Sequence, residues 1–396
     1  MKTFCLLIAL SLLASGIALS PSPAYAQDDK QGELEREWYD ACQVKKDDRC
    51  IPLSKELLDK YPTSQYAKFA KAKIQNDTLS KISDKFQASL KAYYSGTQDA
   101  AKLEALFSSG EDYLKAQPGQ QFVIGQMALA GANGAMGELY KNHDKVKGYA
   151  ETALKAFDSA TPPEGWKPEE WNPLRDLVVA QMNQFLAWQL IIPTKGDMNL
   201  AIDYLAKAIQ VRGKEGIGWK DPNNYFLRST AYSNQYTDLR KPYDAMTTEQ
   251  QTSDEGKELR KKLNDFLDTK LIPEYARVLA TSNKQETKAL YDAIKPNFDA
   301  YWDYRTGAKE KAAEYIRGYV ADPTISPVAV PAKAEDTGNL NAPSAPTTAP
   351  TAVKLSTSGT GAPAANGKSA ATTNGKNGKS TPAKKASPKG KKRGRG

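Results

Sequence analysis

From about residue 30 to residue 322 apolar side chains recur at intervals of three and four, with polar residues between them, and Ala, Lys, Leu and Gln are abundant. That spacing puts the apolar positions on one face of an α-helix. No convincing series of alternating apolar and polar residues joined by Asn-Gly or Asp-Gly turns interrupts it, so strands are not expected. Breaks fall at Pro62, at Pro118 with Gly119, across Thr161 to Gly165, at Pro193, from Gly213 to Gly218 and at Pro222. Pro and Gly there end one helix and set the entry to the next. The pattern predicts an all-α body. Past Asp322 it stops: a run rich in Ala, Pro, Thr, Gly, Ser and Lys follows, without an aromatic residue. Such a composition buries too little apolar surface to offset its ordering entropy, and residues 324–396 are expected to be disordered.

The start of the chain has a different pattern. Lys2 precedes an apolar stretch from Phe4 to Leu19, then Pro21, Pro23 and the small-residue site Ala24-Tyr25-Ala26. This reads as a secretory signal over residues 1–26, leaving a helical domain at 27–323 and placing the mature protein in the periplasm or outside the cell. Export changes how the cysteines are read. Cys5 lies within the signal, which leaves Cys42 and Cys50, and an even pair in an oxidising compartment predicts a disulfide. The two would close the mouth of a first helical hairpin, with Lys45 to Asp48 as its turn.

Charge is as unevenly placed as hydrophobicity. The formal net charge is +9, yet residues from Thr324 onward hold twelve basic and two acidic side chains, so the body is near neutral. That argues against a basic nucleic-acid-binding domain. It predicts instead that Lys384, Lys385, Lys389, Lys391, Lys392, Arg393 and Arg395 contact polyanions, either envelope polymers or DNA, by counterion release. With no aromatic residue among them, base stacking is not expected.

Catalytic chemistry finds little support. The single histidine, His143, stands in the polar run Lys141 to Asp144 and reads as a solvated turn residue, so triads and His-based metal sites lack their side chains. Gly125, Gly131, Gly134 and Gly137 lack the Gly-Lys-Ser/Thr ending of a phosphate loop, and their spacing predicts close helix packing. Glu169 and Glu170 sit at a helix start, where acidic groups favour the dipole. Catalytic residues, cofactors and metals are therefore not expected. Tyr225, Tyr232, Tyr236 and Tyr243 share one helical face if the helix continues to Pro242. Core packing is the simpler reading, and an aromatic peptide-binding wall flanked by Arg228 and Arg240 is the alternative.

A body of this length usually divides or repeats. Ala201 and Ala208 lie seven apart in AIDYLAKAI after a turn at Gly196-Asp197, with Phe185 and Trp188 upstream facing the partner helix. Gly137 and Tyr140 precede Ala156 in MGELYKNHDKVKGYAETALKAF, with Pro162 beyond. CIPLSKELLDKYPTSQYAKFAKAKI closes one helix at Pro62 and opens the next at Ser64 and Tyr66; Leu106, Tyr113 and Pro118 repeat that ending. This resembles the tetratricopeptide repeat (TPR), a helical hairpin of roughly 34 residues with small residues where its helices touch. The best unit runs from about Met182 to Gly213, and the likeness fades from Asp221 onward. The YPTSQYA junction is similar to that of exported bacterial repeat proteins, although Gln27 stands where a lipid-anchored member would have cysteine.

The resemblance implies a TPR-like solenoid whose inner face, built by first helices, binds a protein or peptide and performs no chemistry. On that face it places Asn183, Leu186 and Leu190, together with Tyr225 and Tyr232. The carboxylate-holding Lys, Arg and Asn set of peptide-binding members is not reproduced: the Gly137 unit offers Gly134, Glu138 and Lys141. An apolar or helical partner segment is therefore expected in place of a free C-terminus. The alternative function is binding of nucleic acid or envelope polymer driven by the tail.

Overall fold

In a computed structural model the described residues are 29–192, 196–282 and 285–331. The expected signal, Pro193 and all seven tail cations named above lie outside them. Among the described residues the fold is all-α, with one isolated bridge between Arg212 and Gly218 and no strand. The helices are α1 (Asp29–Tyr39), α2 (Cys50–Lys60), α3 (Ala67–Tyr94), α4 (Ala100–Ala116), α5 (Gln121–Met136), α6 (His143–Ala156) and α7 (Pro168–Ile191). They continue with α8 (Met198–Gln210), α9 (Pro222–Asp244), α10 (Thr248–Thr252), α11 (Asp254–Phe266), α12 (Ile272–Thr281), α13 (Lys288–Thr306) and α14 (Ala312–Arg317).

Local chemistry sets many of these boundaries. Asp99, Asn142, Asp197 and Asp221 cap α4, α6, α8 and α9 by accepting backbone N–H groups of the first turn at 2.8–3.1 Å, which satisfies donors that have no partner within the helix. Pro168 and Pro222 occupy first-turn positions, where a missing N–H costs nothing. α7 begins at Pro168, well upstream of the Met182 start suggested by the repeat pattern. α9 runs through Pro242 to Asp244, so its four tyrosines do share one helix.

The helices pack in an alternating order. Each of α2 to α8 touches its successor, while α5, α7, α9 and α12 also touch one another in turn. Small residues permit the close approaches. A Cβ on Gly134 would stand 2.6 Å from Leu103 Cδ2, and one on Gly125 would stand 3.0 Å from the Phe157 ring, so the glycines of α5 serve packing as their spacing suggested. Ala201 and Ala208 of α8 are fully buried. One continuous apolar core runs from Phe86 to Tyr319.

A second, smaller core lies at the N-terminal end: Leu34, Trp38, Cys42, Cys50, Leu57 and Ala70. Cys42 and Cys50 form the expected disulfide. Between them the chain turns through a π-helical stretch, Asp40–Lys45, which ends at Lys46 in the left-handed region (φ 54°). Trp38 Nε1 donates to Ser54 Oγ at 2.8 Å, and Ser64 Oγ donates to buried Glu35 at 2.7 Å, tying α1 to α2 and to the approach of α3. α3 joins the two cores, and between Ala70 and Phe86 none of its side chains is buried.

The ordered body continues past the expected boundary at Pro323. Residues 324–331 are described and are held against the helices, so this stretch departs from the expectation of disorder beginning at Thr324. Most of the attachments are hydrogen bonds to main-chain atoms, a contribution that apolar composition does not register, joined by Arg212 on Thr324 and by Val330 against the core.

Candidate partner-binding surface

The face expected to receive a partner is largely interior. Asn183 is 3% exposed and donates to the Val179 carbonyl of its own helix at 2.8 Å; Leu186 is 3% exposed. Tyr225 is fully buried, its hydroxyl donating to the Trp219 carbonyl at 2.5 Å. Only Leu190 and Tyr232 are half-buried, and Tyr232 meets Phe266 edge-on at 6.0 Å. The expectation that Asn183, Leu186 and Tyr225 line an open face is corrected: α7 touches α5, α6, α8 and α9, leaving little of its circumference to solvent. Exposed apolar residues in this part of the chain flank the α7–α8 connection, at Ile192 (56% exposed) and Leu200 (40%); others lie at the N-terminal end, at Tyr39, Val44 and Phe69.

Gln184, Asp221 and Asn224 form a hydrogen-bonded cluster where α7 meets α9. Gln184 donates to Asp221 and to Asn224 at 2.9 Å, and Asn224 donates to the Gly218 carbonyl at 2.9 Å. Burial pushes the Asp221 carboxyl up, while the Asn223 N–H and Gln184 pull it down less strongly. The tyrosines read as core are core: Tyr236 and Tyr243 are buried, and burial raises the Tyr236 and Tyr232 phenols. His143 is not a free turn residue. It opens α6, and its ring meets Trp188 edge-on at 5.3 Å.

The pattern of apolar positions missed a charged core. Glu274, 1% exposed, accepts two hydrogen bonds from Arg228 (2.8 and 2.9 Å) and one from Arg277 (2.9 Å). Arg228, expected to flank a binding wall, is thus committed to the interior. A signal was present: PEYAR places Glu274 and Arg277 one turn apart in an otherwise apolar run, and charges so placed are buried only when paired. Arg277 also donates to the carbonyls of Pro323 (2.8 Å) and Ile325 (2.9 Å) and lies 5.0 Å from the Tyr319 ring centroid.

Two further surfaces have the shape of binding sites. Residues 322–331 cross the body as an irregular strap, gripped by Arg277, Arg212, Tyr315 and Tyr319. A cleft of about 860 Å³ opens between α12, α13 and α14, with Tyr291, Trp302, Ile316 and Val320 in its lining. The ion pairs Lys295–Asp299 (2.6 Å) and Lys309–Asp303 (3.1 Å) also line it, so four of its charges are matched within the chain. No group of three or more His, Cys, Asp or Glu side chains suited to a metal occurs among the described residues, and no described helix is long and apolar enough to cross a membrane. No protein-family model, curated protein or solved structure matches the chain.

Proposed function

We infer that the protein is an exported, non-enzymatic scaffold of the TPR-like solenoid type, which holds a protein or peptide partner and attaches weakly to envelope polyanions through its basic tail. The observation that carries this reading is the alternating contact of α5, α7, α9 and α12, with α6 and α8 lying alongside, the order in which stacked hairpins meet. The Cys42–Cys50 disulfide supports export, because such bonds persist in oxidising compartments. Since the inner positions are buried, the partner surface is assigned to the α7–α8 junction, where Ile192 at the end of α7 and Leu200 in the first turn of α8 are exposed and Leu190 is half-buried.

Affinity capture from an envelope extract, with the full chain and a chain ending at Pro331 side by side, tests the reading. Both should retain the same partner, and L200D should lose it with helical content unchanged. Loss of the partner on removing the tail would favour tail-driven binding of nucleic acid or envelope polymer. For the tail itself, neutralising about eight duplex phosphates should give a log-affinity against log-salt slope of roughly −7. The chain ending at Pro331 should bind heparin and DNA far more weakly.

A further inference from the structure

The last described residues are held the way a ligand is held. After α14 the chain from Asp322 to Pro331 forms neither helix nor strand, and among the described residues its backbone makes no backbone-to-backbone hydrogen bond to the helices. Side chains of the body reach its main chain instead. Arg277 donates to the Pro323 and Ile325 carbonyls, Tyr315 Oη donates to the Val328 carbonyl at 2.9 Å, and the Val328 N–H donates to Tyr319 Oη at 2.9 Å. Two side chains of the strap are recognised as such: Arg212 meets Asp322 at 3.4 Å and donates to Thr324 Oγ1 at 2.5 Å. Ile325 and Val328 remain 38% and 40% exposed; apolar anchoring is confined to buried Pro323 and to Val330, which packs partly buried against the core, and the main-chain hydrogen bonds hold the stretch between them.

Three features make this arrangement suited to a peptide and not only to this segment. Contacts to main-chain atoms tolerate most side chains, which is how grooves for extended peptides gain affinity, leaving specificity to a few positions. The donors are preorganised: Arg277 is fixed by Glu274 and by the Tyr319 ring, and Arg212 lies 4.6 Å from the Trp219 ring centroid. Arg277 is also 6% exposed, and an empty groove would strip it of two carbonyl acceptors, leaving donors of a charged group unmet at a substantial penalty.

We propose that the groove formed by Arg212, Arg277, Tyr315 and Tyr319 is a binding site for extended peptides, occupied in cis by residues 322–331. In trans it takes a partner segment of the same chemistry: an acidic residue, then proline, then a hydroxyl residue, followed by an extended main chain. The proposal rests on the scaffold reading and names a second partner site for it. A tethered segment competes at an effective concentration on the order of millimolar or higher, so the cis strap sets a threshold that only a tight or multivalent partner crosses.

The test uses the full chain and a fluorescein-labelled synthetic peptide of residues 321–331, followed by fluorescence polarisation. D322A/T324A removes the grip of Arg212 on the cis segment and touches no core residue. It should bind the peptide at least tenfold more tightly than the unsubstituted chain. A second full-length variant, with 322–330 replaced by Gly and Ser, should bind at least as tightly as D322A/T324A. Y315F/Y319F, which keeps both ring shapes and deletes the hydroxyls, should weaken peptide binding at least tenfold when added to that second chain, where no cis segment loses the same two hydrogen bonds. Absence of saturable binding by D322A/T324A with its helical signal intact would overturn the proposal, as would binding indifferent to Y315F/Y319F. Capture of the envelope partner through the α7–α8 junction is measured in parallel. A chain that captures its partner and never takes the peptide refutes the groove alone, whereas one that takes the peptide and captures nothing refutes the α7–α8 surface.

Discussion

The N-terminal hairpin and the long body solve the same packing problem with different means. In the body, α7 has helices on nearly every side, and even a carboxylate, Glu274, is kept inside by two arginines. The hairpin of α1 and α2 packs mainly on the start of α3 across a small core, and this end of the chain leaves Tyr39, Val44 and Phe69 of α3 exposed at 48%, 63% and 45%. A terminal layer with a neighbour on one side buries less than an internal one. The Cys42–Cys50 bond compensates by restricting the unfolded chain, worth roughly 2.5 kcal/mol for so short a loop. Covalent closure therefore stands where stacking is missing.

Raising the pH should separate the two regions most widely. Burial pushes the Tyr93 and Tyr275 phenols of the body up to about 12. A phenol whose pKa rises on folding contributes stability that is fully present below the ordinary tyrosine value near 10 and is lost as pH climbs through the folded value. The body should unfold between about pH 10 and 12, with tyrosinate absorbance and loss of helix signal rising together. In the hairpin, half-buried Tyr66 is also raised by burial, without reaching the fully enclosed state of Tyr93. Titration of every tyrosine near pH 10 with the helices intact would break this part of the comparison.

E274A should be the most damaging single change, because it leaves Arg228 and Arg277 without their carboxylate. Removing one partner from a buried pair costs about 3–5 kcal/mol, which thermal unfolding should register in the body with the hairpin's Trp38 environment unaltered. The smallest effect is expected in the α3 spacer. Asn76 is exposed midway between the cores, and N76G, a change to a residue of only slightly poorer helix propensity, should cost about 0.3 kcal/mol, confined to amide protection in residues 71–81. A loss comparable to that of E274A would show the spacer to be packed and the two cores to be one.

The helices were legible because the apolar positions keep the helical period, and the disulfide because setting Cys5 aside with the expected signal leaves Cys42 and Cys50 a single pairing. The spacing of the α5 glycines gave the close packing at Gly125 and Gly134. The site was less legible. Whether Leu186 faces solvent or a neighbouring helix depends on how many elements surround α7, a property of the assembled layers that no local window contains. The strap was missed for a different reason: TISPVAVP has no aromatic residue and no helical period, and what holds it is hydrogen bonding by Arg277, Tyr315 and Tyr319 from elsewhere in the chain, with Val330 against the core.

Hydrogen exchange on the oxidised and the selectively reduced protein compares the two regions most directly. Protection reports local opening segment by segment, and the disulfide acts on one region only. Reduction should lower the protection of residues 29–70 by about 2–3 kcal/mol, with amides of α5, α7, α9 and α12 unchanged. Equal loss of protection in both regions would contradict the account, as would a hairpin that is indifferent to reduction.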